Sequence, residues 1–230
     1  MMIDQDKWSP WRSQGRAEFS YGCNSAWIIG VACNAGMDIG GARASLGGMS
    51  IITGRGDLGE TDLLFGKRIA KTSLRVAALG AVDEVNAALG LARAAGTNAE
   101  VIGLIDAIQA RLIGLMGQLA CLPEDLGRYK YVALTAADVA WVEAEARRFE
   151  TRGVQFTGWA RPGAEGSLAR AGLDFARAMA RRAERGVLAL HESGEEVPET
   201  VRLFFNRLSD LLWILARVDE PQPQPAQSAD

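Results

Sequence analysis

The stretch "VRLFFNRLSDLLWIL", residues 201–215, decides the fold class of this chain. Its apolar positions recur at alternating steps of three and four, at Val201, Phe204, Leu208, Leu211 and Leu215. Because an α-helix has about 3.6 residues per turn, this spacing places the five side chains on one face of a helix. Alternating steps of three and four are typical of a seam between packed helices. Pro198, just before the stretch, suits a first helical turn.

Four further segments have helical periodicity, so the sequence predicts an all-α helical bundle. The predicted segments are residues 73–95, the capping box Thr97-x-x-Glu100 to Pro123, Thr135-x-x-Asp138 to about Gly153, and residues 166–191. Extended signals are confined to "MSIIT" (residues 49–53), with "YKYVALT" (residues 129–135) as a second candidate. Two short segments do not make a parallel sheet.

Composition excludes several classes of function. The formal charge is −3, from 25 basic and 28 acidic residues, which predicts no general affinity for nucleic acid or anionic membranes. Any anion site must therefore be local. The cysteines Cys23, Cys33 and Cys121 form no C-x-x-C motif, so neither a disulfide framework nor a zinc site is predicted. A reducing cytoplasm is the expected location. No apolar run approaches the roughly 20 residues that cross a bilayer.

The two ends of the chain differ from the rest. Residues 1–48 lack sustained periodicity and hold two of the three cysteines and three of the six tryptophans. We expect this extension to be disordered or to lie upstream of a natural start at Met49. Residues 49–219 form the predicted domain. Residues 220–230, which are rich in proline and polar residues, are a predicted disordered tail.

The stretch "TGRGDLGET", residues 53–61, has the glycine spacing G-x-G-x-x-G. A dinucleotide fold would need βαβ units around it, and a Walker A loop would need Gly-Lys-Ser/Thr at a fixed distance. Neither is present, and the Arg-Gly-Asp tripeptide is too short to indicate adhesion. A turn of this kind can cradle phosphate with its N–H groups, helped by the hydroxyls of Thr53 and Thr61. Asp57 could hold Mg²⁺ or organise the turn. An ordinary surface loop is the competing interpretation.

The stretch "RAMARRAER", residues 177–185, stacks Arg177, Arg181 and Arg185 along one helical face. Like charges at this spacing repel by about 0.2–0.5 kcal/mol per pair, so an anionic partner is one interpretation and a solvated face is the other. Two partners are available. One is Asp83, beside an apolar stripe where a carboxylate needs a cation, and the other is a bound polyphosphate. Asn206 lies beside the apolar seam of the fifth predicted helix, where an asparagine often sets the register of the packed helices.

Taken together, "TGRGDLGET…FGKRIAK…R…GAVDEVNAALG", "ARAMARRAER" and "NRLSDLLWILAR" resemble the PduO-type ATP:cob(I)alamin adenosyltransferases in collinear order. The resemblance implies a five-helix up-and-down bundle of the ferritin-like type, assembled as a homotrimer with active sites at subunit interfaces. It implies transfer of the 5′-deoxyadenosyl group of ATP to the cobalt of a reduced corrinoid, with release of triphosphate. A corrinoid reductase and an adenosylcobalamin-dependent enzyme are possible partners.

The resemblance also implies roles for individual residues. One subunit would bind ATP through Thr53, Gly54, Arg55, Gly56, Asp57, Gly59, Thr61, Asp62 and Lys71. Its neighbour would contribute Arg181, Arg182, Ala183, Glu184, Arg185 and Asn206. Asp83 would pair with Arg181 and couple the subunits. Mg²⁺, carried with ATP, would stabilise the departing triphosphate together with Lys71, Arg181 and Arg185. Trp159 would exclude water from the lower cobalt face.

The sequence departs from the family pattern in places. Asp174 replaces a usual histidine in "LDFAR", the linker before the arginines is about two residues longer, and Arg55 stands where Lys or Thr is common.

Two other functions are alternatives to adenosyl transfer. A di-iron oxidase needs two Glu-x-x-His pairs, which the single His191 cannot supply. An ATP-binding sensor or corrinoid-delivery module without turnover stays open.

Overall fold

The computed structural model describes residues 52, 54–129, 133–153, 159–163 and 166–218. Five helices run through these ranges, which confirms the predicted bundle: α1 (Leu74–Ala95), α2 (Ala99–Leu119), α3 (Ala136–Glu150), α4 (Leu168–Glu192) and α5 (Glu199–Leu215). An antiparallel hairpin of β1 (Glu60–Asp62) and β2 (Arg68–Ala70) precedes them. Short 3-10 turns occupy Leu64–Gly66 and Pro123–Arg128. The proposed start at Met49 and both end segments lie outside the described residues.

The predicted strands were wrong where the structure describes them. Tyr129 follows a 3-10 turn and Thr135 caps α3, so the described part of "YKYVALT" forms no strand. Of "MSIIT", only Ile52 is described, and it is not in a strand. The hairpin lies in a segment where no strand was predicted. It forms because Leu63 and Leu64 are buried against Ala120 and Cys121, a contact with residues more than 50 positions away.

Helix ends follow local capping chemistry. Ser73 caps α1 and Ser167 caps α4, each through its side chain. The Thr135/Asp138 capping box of α3 is confirmed. The predicted Thr97 cap of α2 was wrong, because the Asn98 side chain accepts hydrogen bonds from the N–H groups of Glu100 and Val101 at 3.0 and 3.2 Å. Asparagine is among the best N-caps, and its position one residue later fits the first turn.

Two further helix ends differ from the sequence prediction. Helix α2 ends at Leu119, and the residues from Pro123 onward form a separate 3-10 turn. Pro198 is the N-cap of α5 and does not lie in its first turn. Neither difference moves an apolar face, so the predicted seam of α5 is unaffected. All five of its residues are buried.

Helices α1 and α4 pack antiparallel through small residues. A Cβ added to Gly172 would lie 2.9 Å from the Ala92 Cα, and one added to Gly186 would lie 3.6 Å from the Ala78 Cα. Any larger side chain at Gly172 would therefore push the helices apart. This register also places Asp83 and Arg181 at the same level, nine residues from the Ala92–Gly172 contact on each helix.

Two buried arginines tie the ends of the bundle, and the sequence analysis identified neither. Arg75 donates to the carbonyl oxygens of Leu119 and Cys121 at 2.9 and 3.2 Å and forms an ion pair with Glu195. At the other end, Arg217 forms a two-pronged ion pair with Asp174, at 2.8 and 3.3 Å. Asp174, the residue in place of the usual histidine, is thus buried and paired.

An exposed acidic residue links α2 to α3 and makes stability depend on pH. Hydrogen bonds from Arg152 and Arg148 lower the pKa of Glu100 to about 2 from an ordinary 4.5. A lowered carboxyl pKa stabilises the folded chain above pH 4.5, and the contribution is lost as the pH falls toward 2. Because Glu100 is exposed, we expect Glu100→Gln to cost no more than about 1 kcal/mol at pH 7.

Urea denaturation of the parent and Glu100→Gln chains at several pH values checks this expectation. The difference between their free energies of unfolding should shrink steadily below pH 4.5. A difference that is constant or grows on acidification would contradict the assigned ion pairs.

None of the helices in the described ranges is long and apolar enough to span a membrane.

Candidate functional site

The glycine loop folds as consecutive tight turns. The Asp57 N–H donates to the Gly54 carbonyl at 3.1 Å, and the Gly59 N–H donates to the Gly56 carbonyl at 3.2 Å. Gly54 and Gly59 have positive φ angles of 67° and 84°. The Asp57 carboxylate lies over Gly54, since a Cβ added there would be 3.4 Å from its Oδ2 atom. Thr53 lies outside the described residues.

The hairpin returns Lys71 to this loop. Its backbone N–H donates to the Gly59 carbonyl at 2.8 Å, and its Nζ atom would lie only 2.7 Å from a Cβ at Gly56. Gly56 therefore leaves the space that the lysine ammonium occupies. The structure thus brings together the predicted residues Gly54, Gly56, Gly59 and Lys71. The N–H groups of Asp57, Gly59 and Lys71 already donate to carbonyls of the loop, so the Lys71 ammonium is the group here that suits an anion such as phosphate.

Asp62 anchors the loop to the hairpin. Its carboxylate pairs with Arg55 at 3.1 Å and with Arg68 at 3.0 Å, and only 10% of its side chain is exposed. Arg68 also contacts Glu60 at 3.0 Å and donates to the Arg55 carbonyl at 2.9 Å. Through these ion pairs Asp62 holds the loop in shape. Arg68 was missed because its role depends on lying opposite Asp62 in a hairpin that was not predicted.

The predicted arginines of α4 differ in their surroundings. Arg181, Arg182 and Arg185 are exposed, whereas Arg177 is half-buried. Arg182 pairs with Glu84 of α1 at 3.2 Å. Within the described part of the chain, Arg181 and Arg185 form no ion pair. Ala183 is fully buried in the core, so its side chain has no surface for a ligand, and its place in the ATP site stays a prediction.

Asp83 is half-buried on α1, and none of the described residues places a cation beside it. Burial, reinforced by the neighbouring charge of Glu84, raises the pKa of Asp83 above its ordinary value. Although Arg181 lies at the same level of the bundle, the described residues of one chain form no Asp83–Arg181 pair. A cation from outside the chain would stabilise the charged form of this carboxylate.

Asn206 and Glu184, both predicted site residues, meet between α5 and α4. The Asn206 Nδ2 atom donates to Glu184 Oε1 at 3.1 Å. Arg207 donates to the Asn206 side-chain oxygen, and its Nε atom donates to Glu143 of α3 at 2.7 Å. The sequence analysis did not identify Arg207 or Glu143. The adjacency of Arg207 to Asn206 was visible, but the contribution of α3 was not.

Trp159 is 91% exposed, on a short segment that precedes α4. The same segment contacts the first turn of α4, where Gly163 lies beside Ala171. The described residues contain no cluster of three His, Cys, Asp or Glu side chains that could cage a metal ion. His191 is exposed at the end of α4.

Comparison with known proteins gives a consistent result. Residues 51–219 match the family model described as cobalamin adenosyltransferase. The chain is 35% identical over 179 residues to the corrinoid adenosyltransferase PduO of Salmonella typhimurium, covering 77% of this chain and 52% of the relative. It is 36% identical to a corrinoid adenosyltransferase of Bacillus subtilis, covering 74% of this chain and 86% of the relative. The chain thus spans about half the length of the PduO relatives of Salmonella typhimurium and Citrobacter freundii.

Solved structures agree in fold. Two variants of the PduO-type ATP:corrinoid adenosyltransferase from Lactobacillus reuteri, each complexed with cobalamin and ATP, superpose with TM-scores of 0.64 and 0.66. Their sequence identities are 29% and 28%, and the matches cover 74% of this chain and 92% and 90% of the Lactobacillus chains. With the family model matching most of its length, the chain belongs to the cobalamin adenosyltransferase family.

Proposed function

We propose that this chain transfers the 5′-deoxyadenosyl group of ATP to the Co(I) centre of a reduced corrinoid, giving adenosylcobalamin and triphosphate. The observation that carries the proposal is the Lys71 ammonium seated against Gly56 of the glycine loop. Membership of a family whose solved relatives are complexed with cobalamin and ATP supports the phosphates of ATP as this anion.

The transfer is a displacement at the 5′ carbon of ATP. The electron pair of Co(I) forms the cobalt–carbon bond, while the bond from the 5′ carbon to the triphosphate oxygen breaks. The oxygen keeps that electron pair and leaves as triphosphate. Because Co(I) is itself a strong nucleophile, no side chain has to act as a base. The protein holds the two substrates in line and stabilises the charge on the leaving group.

Three cationic side chains suit the second task. Lys71 reaches the phosphates from the loop, and Arg181 and Arg185 are exposed guanidinium groups that no residue in the described ranges neutralises. Guanidinium groups bind phosphate oxygens in pairs of hydrogen bonds. We assign the phosphate site to the loop residues Gly54, Arg55, Gly56, Asp57, Gly59, Thr61 and Lys71, with Asp62 shaping the loop, and the second half of the nucleotide site to Arg181, Arg182, Glu184, Arg185 and Asn206. Thr53 stays a predicted member.

Mg²⁺ would arrive with the nucleotide. The described residues supply isolated carboxylates, such as Asp57, and no acidic cluster. That fits an ion held mainly by phosphate oxygens and water, which is the usual coordination of Mg²⁺ in nucleotide sites. Bound there, it neutralises phosphate charge during the transfer. Trp159, exposed beside α4, is proposed to cover the lower cobalt face and exclude water.

We further propose that the active unit is a homotrimer whose sites lie between subunits. The support is Asp83, a half-buried carboxylate with a raised pKa that no cation in the described ranges contacts, on the same level of the bundle as the exposed Arg181. Arg181 of a neighbouring copy would supply that cation. A corrinoid reductase and an adenosylcobalamin-dependent enzyme are proposed partners, and a cytoplasmic location stays a prediction.

Asp83→Ala tests the intersubunit pair. We expect the variant to shift from trimer toward monomer and to lose most activity, because Arg181 would lose its partner. Sedimentation velocity at micromolar concentration measures the assembly, and Asp106→Ala, which removes an exposed partner of Arg93 on the bundle surface, is the control. An unchanged trimer with full rate would contradict the pairing.

The proposed activity is tested by anaerobic incubation with ATP, Mg²⁺ and chemically reduced cobalamin. The expected result is conversion of the Co(I) spectrum to that of an alkylcobalamin, with one triphosphate released per turnover. Tight ATP binding without this conversion would support the competing function, a nucleotide sensor or corrinoid-delivery module on the same fold.

A further inference from the structure

A chain of four polar side chains crosses the bundle from α3 through α5 to α4. It consists of Glu143, Arg207, Asn206 and Glu184, in that order. Two of its members belong to the proposed nucleotide site. The other two, Glu143 and Arg207, have no role in the function described above. All four are half-buried, so their contacts are partly shielded from water.

The contacts of Asn206 fix the orientation of its amide. Arg207 donates to the side-chain oxygen, and the side-chain nitrogen donates to Glu184 at 3.1 Å. A guanidinium group can only donate and a carboxylate can only accept. Turning the amide over would therefore set its N–H groups against Arg207 and its oxygen against Glu184. The Arg207 contact thus selects one of the two orientations.

Arg207 is itself held in place from α3. Its Nε atom donates to Glu143 Oε1 at 2.7 Å, which leaves a terminal nitrogen for Asn206. The other oxygen of Glu143 lies 3.6 Å from Arg147, whose side chain is 77% exposed. Glu143 therefore contacts two arginines. One continues to Asn206, and the other ends in solvent.

We propose that Glu143 and Arg207 are positioning residues for the nucleotide: they hold the Asn206 amide with an N–H directed to Glu184 and its second N–H available to ATP. The inference rests on the proposed function, in which Asn206 contacts ATP. It extends the site to α3, the helix from which the sequence and the family resemblance assigned no residue. Neither positioning residue contacts the reacting atoms.

The expected effect is on ATP affinity. Without Arg207, part of the protein population holds the amide in the wrong orientation or mobile, and ATP must bind to the remainder. Loss of one hydrogen bond to a nucleotide corresponds to about a fivefold change in dissociation constant. We therefore expect Arg207→Met to raise the dissociation constant for ATP about five- to tenfold and to leave the rate at saturating ATP within about twofold.

Titration calorimetry with ATP and Mg²⁺ on the full chain measures this affinity independently of turnover. Arg147→Met is the matched control, because it removes the solvent-exposed arginine that contacts the same Glu143. Its dissociation constant should stay within about twofold of the parent. Glu143→Gln, whose amide oxygen can still accept from Arg207, is a milder variant that should weaken ATP binding less than Arg207→Met.

A double-mutant cycle separates positioning from general destabilisation. If Arg207 acts through Asn206, Arg207→Met should add less than a twofold effect in an Asn206→Ala background. Equal effects in both backgrounds, or no effect of Arg207→Met on a chain that Asn206→Ala weakens, would overturn the inference. If Asn206→Ala itself leaves ATP affinity unchanged, the assignment of Asn206 to the nucleotide site fails instead.

Discussion

Replacing Arg185 by alanine is expected to lower turnover by at least about 100-fold while the bundle stays folded. Arg185 is exposed on α4 and forms no ion pair with any residue in the described ranges, so its removal breaks no contact that supports the fold. In the proposed reaction its guanidinium binds the triphosphate as negative charge develops on the leaving oxygen. Removing one such donor from an active site typically costs 100- to 1,000-fold in rate.

Two companion variants separate charge from geometry and from surface effects. Arg185→Lys keeps the charge but loses the paired hydrogen bonds, so its rate should fall between those of the parent and Arg185→Ala. Arg93→Ala removes an exposed arginine that pairs with Asp106, and its rate should stay within about twofold of the parent. Single-turnover kinetics under anaerobic conditions measure all three. An Arg185→Ala rate within about threefold of the parent would contradict the assigned role.

The second large effect concerns stability at the opposite end of the bundle from Arg75. Arg217 and Asp174 are only 5% and 7% exposed, and Arg217 also donates to the Trp213 carbonyl at 3.0 Å. Replacing Arg217 by methionine keeps much of the side-chain volume but leaves Asp174 charged, buried and unpaired. Breaking a buried pair in this way costs about 3–5 kcal/mol. For a chain of this size, that corresponds to a fall in Tm of roughly 10 °C.

The exposed pair Arg93–Asp106 provides the comparison. Its side chains are 48% and 49% exposed, so Arg93→Met should cost less than about 1 kcal/mol. A second replacement, Asp174→Leu in the Arg217→Met chain, removes the stranded charge and should recover much of the loss. Differential scanning calorimetry measures the series. Equal, small costs for Arg217→Met and Arg93→Met would show that the buried pair does not stabilise the bundle.

Helices were predictable because their signals are local. The seam of α5 needs only the spacing of apolar residues within 15 positions, and the capping box at Thr135/Asp138 needs only a neighbouring turn. The hairpin was not predictable on the same basis. Its strands have three residues each, too few for a periodic signal, and they are stabilised by burial of Leu63 and Leu64 against the end of α2.

The residues of the candidate site likewise fall into those with local sequence signals and those that depend on contacts with distant residues. The glycine loop, the arginines of α4 and Asn206 were identified from short motifs and a family resemblance. Arg68, Arg207 and Glu143 were missed because each forms an ion pair with a side chain on another element: Arg68 with Asp62, and Arg207 with Glu143. Asp174 was noted as a departure from the family pattern, but its partner lies 43 residues away, and the sequence does not show which arginine it meets.

The central claim is that this chain joins the adenosyl group of ATP to cobalt. The most direct test is an anaerobic reaction of the purified chain with ATP, Mg²⁺ and Co(I) cobalamin, followed by absorbance and by chromatography of the products. We expect adenosylcobalamin and triphosphate in equal amounts, and at least about 100-fold slower product formation when Arg185→Ala replaces the parent. Consumption of ATP without a cobalt–carbon product, or binding of ATP with no reaction at all, would contradict it.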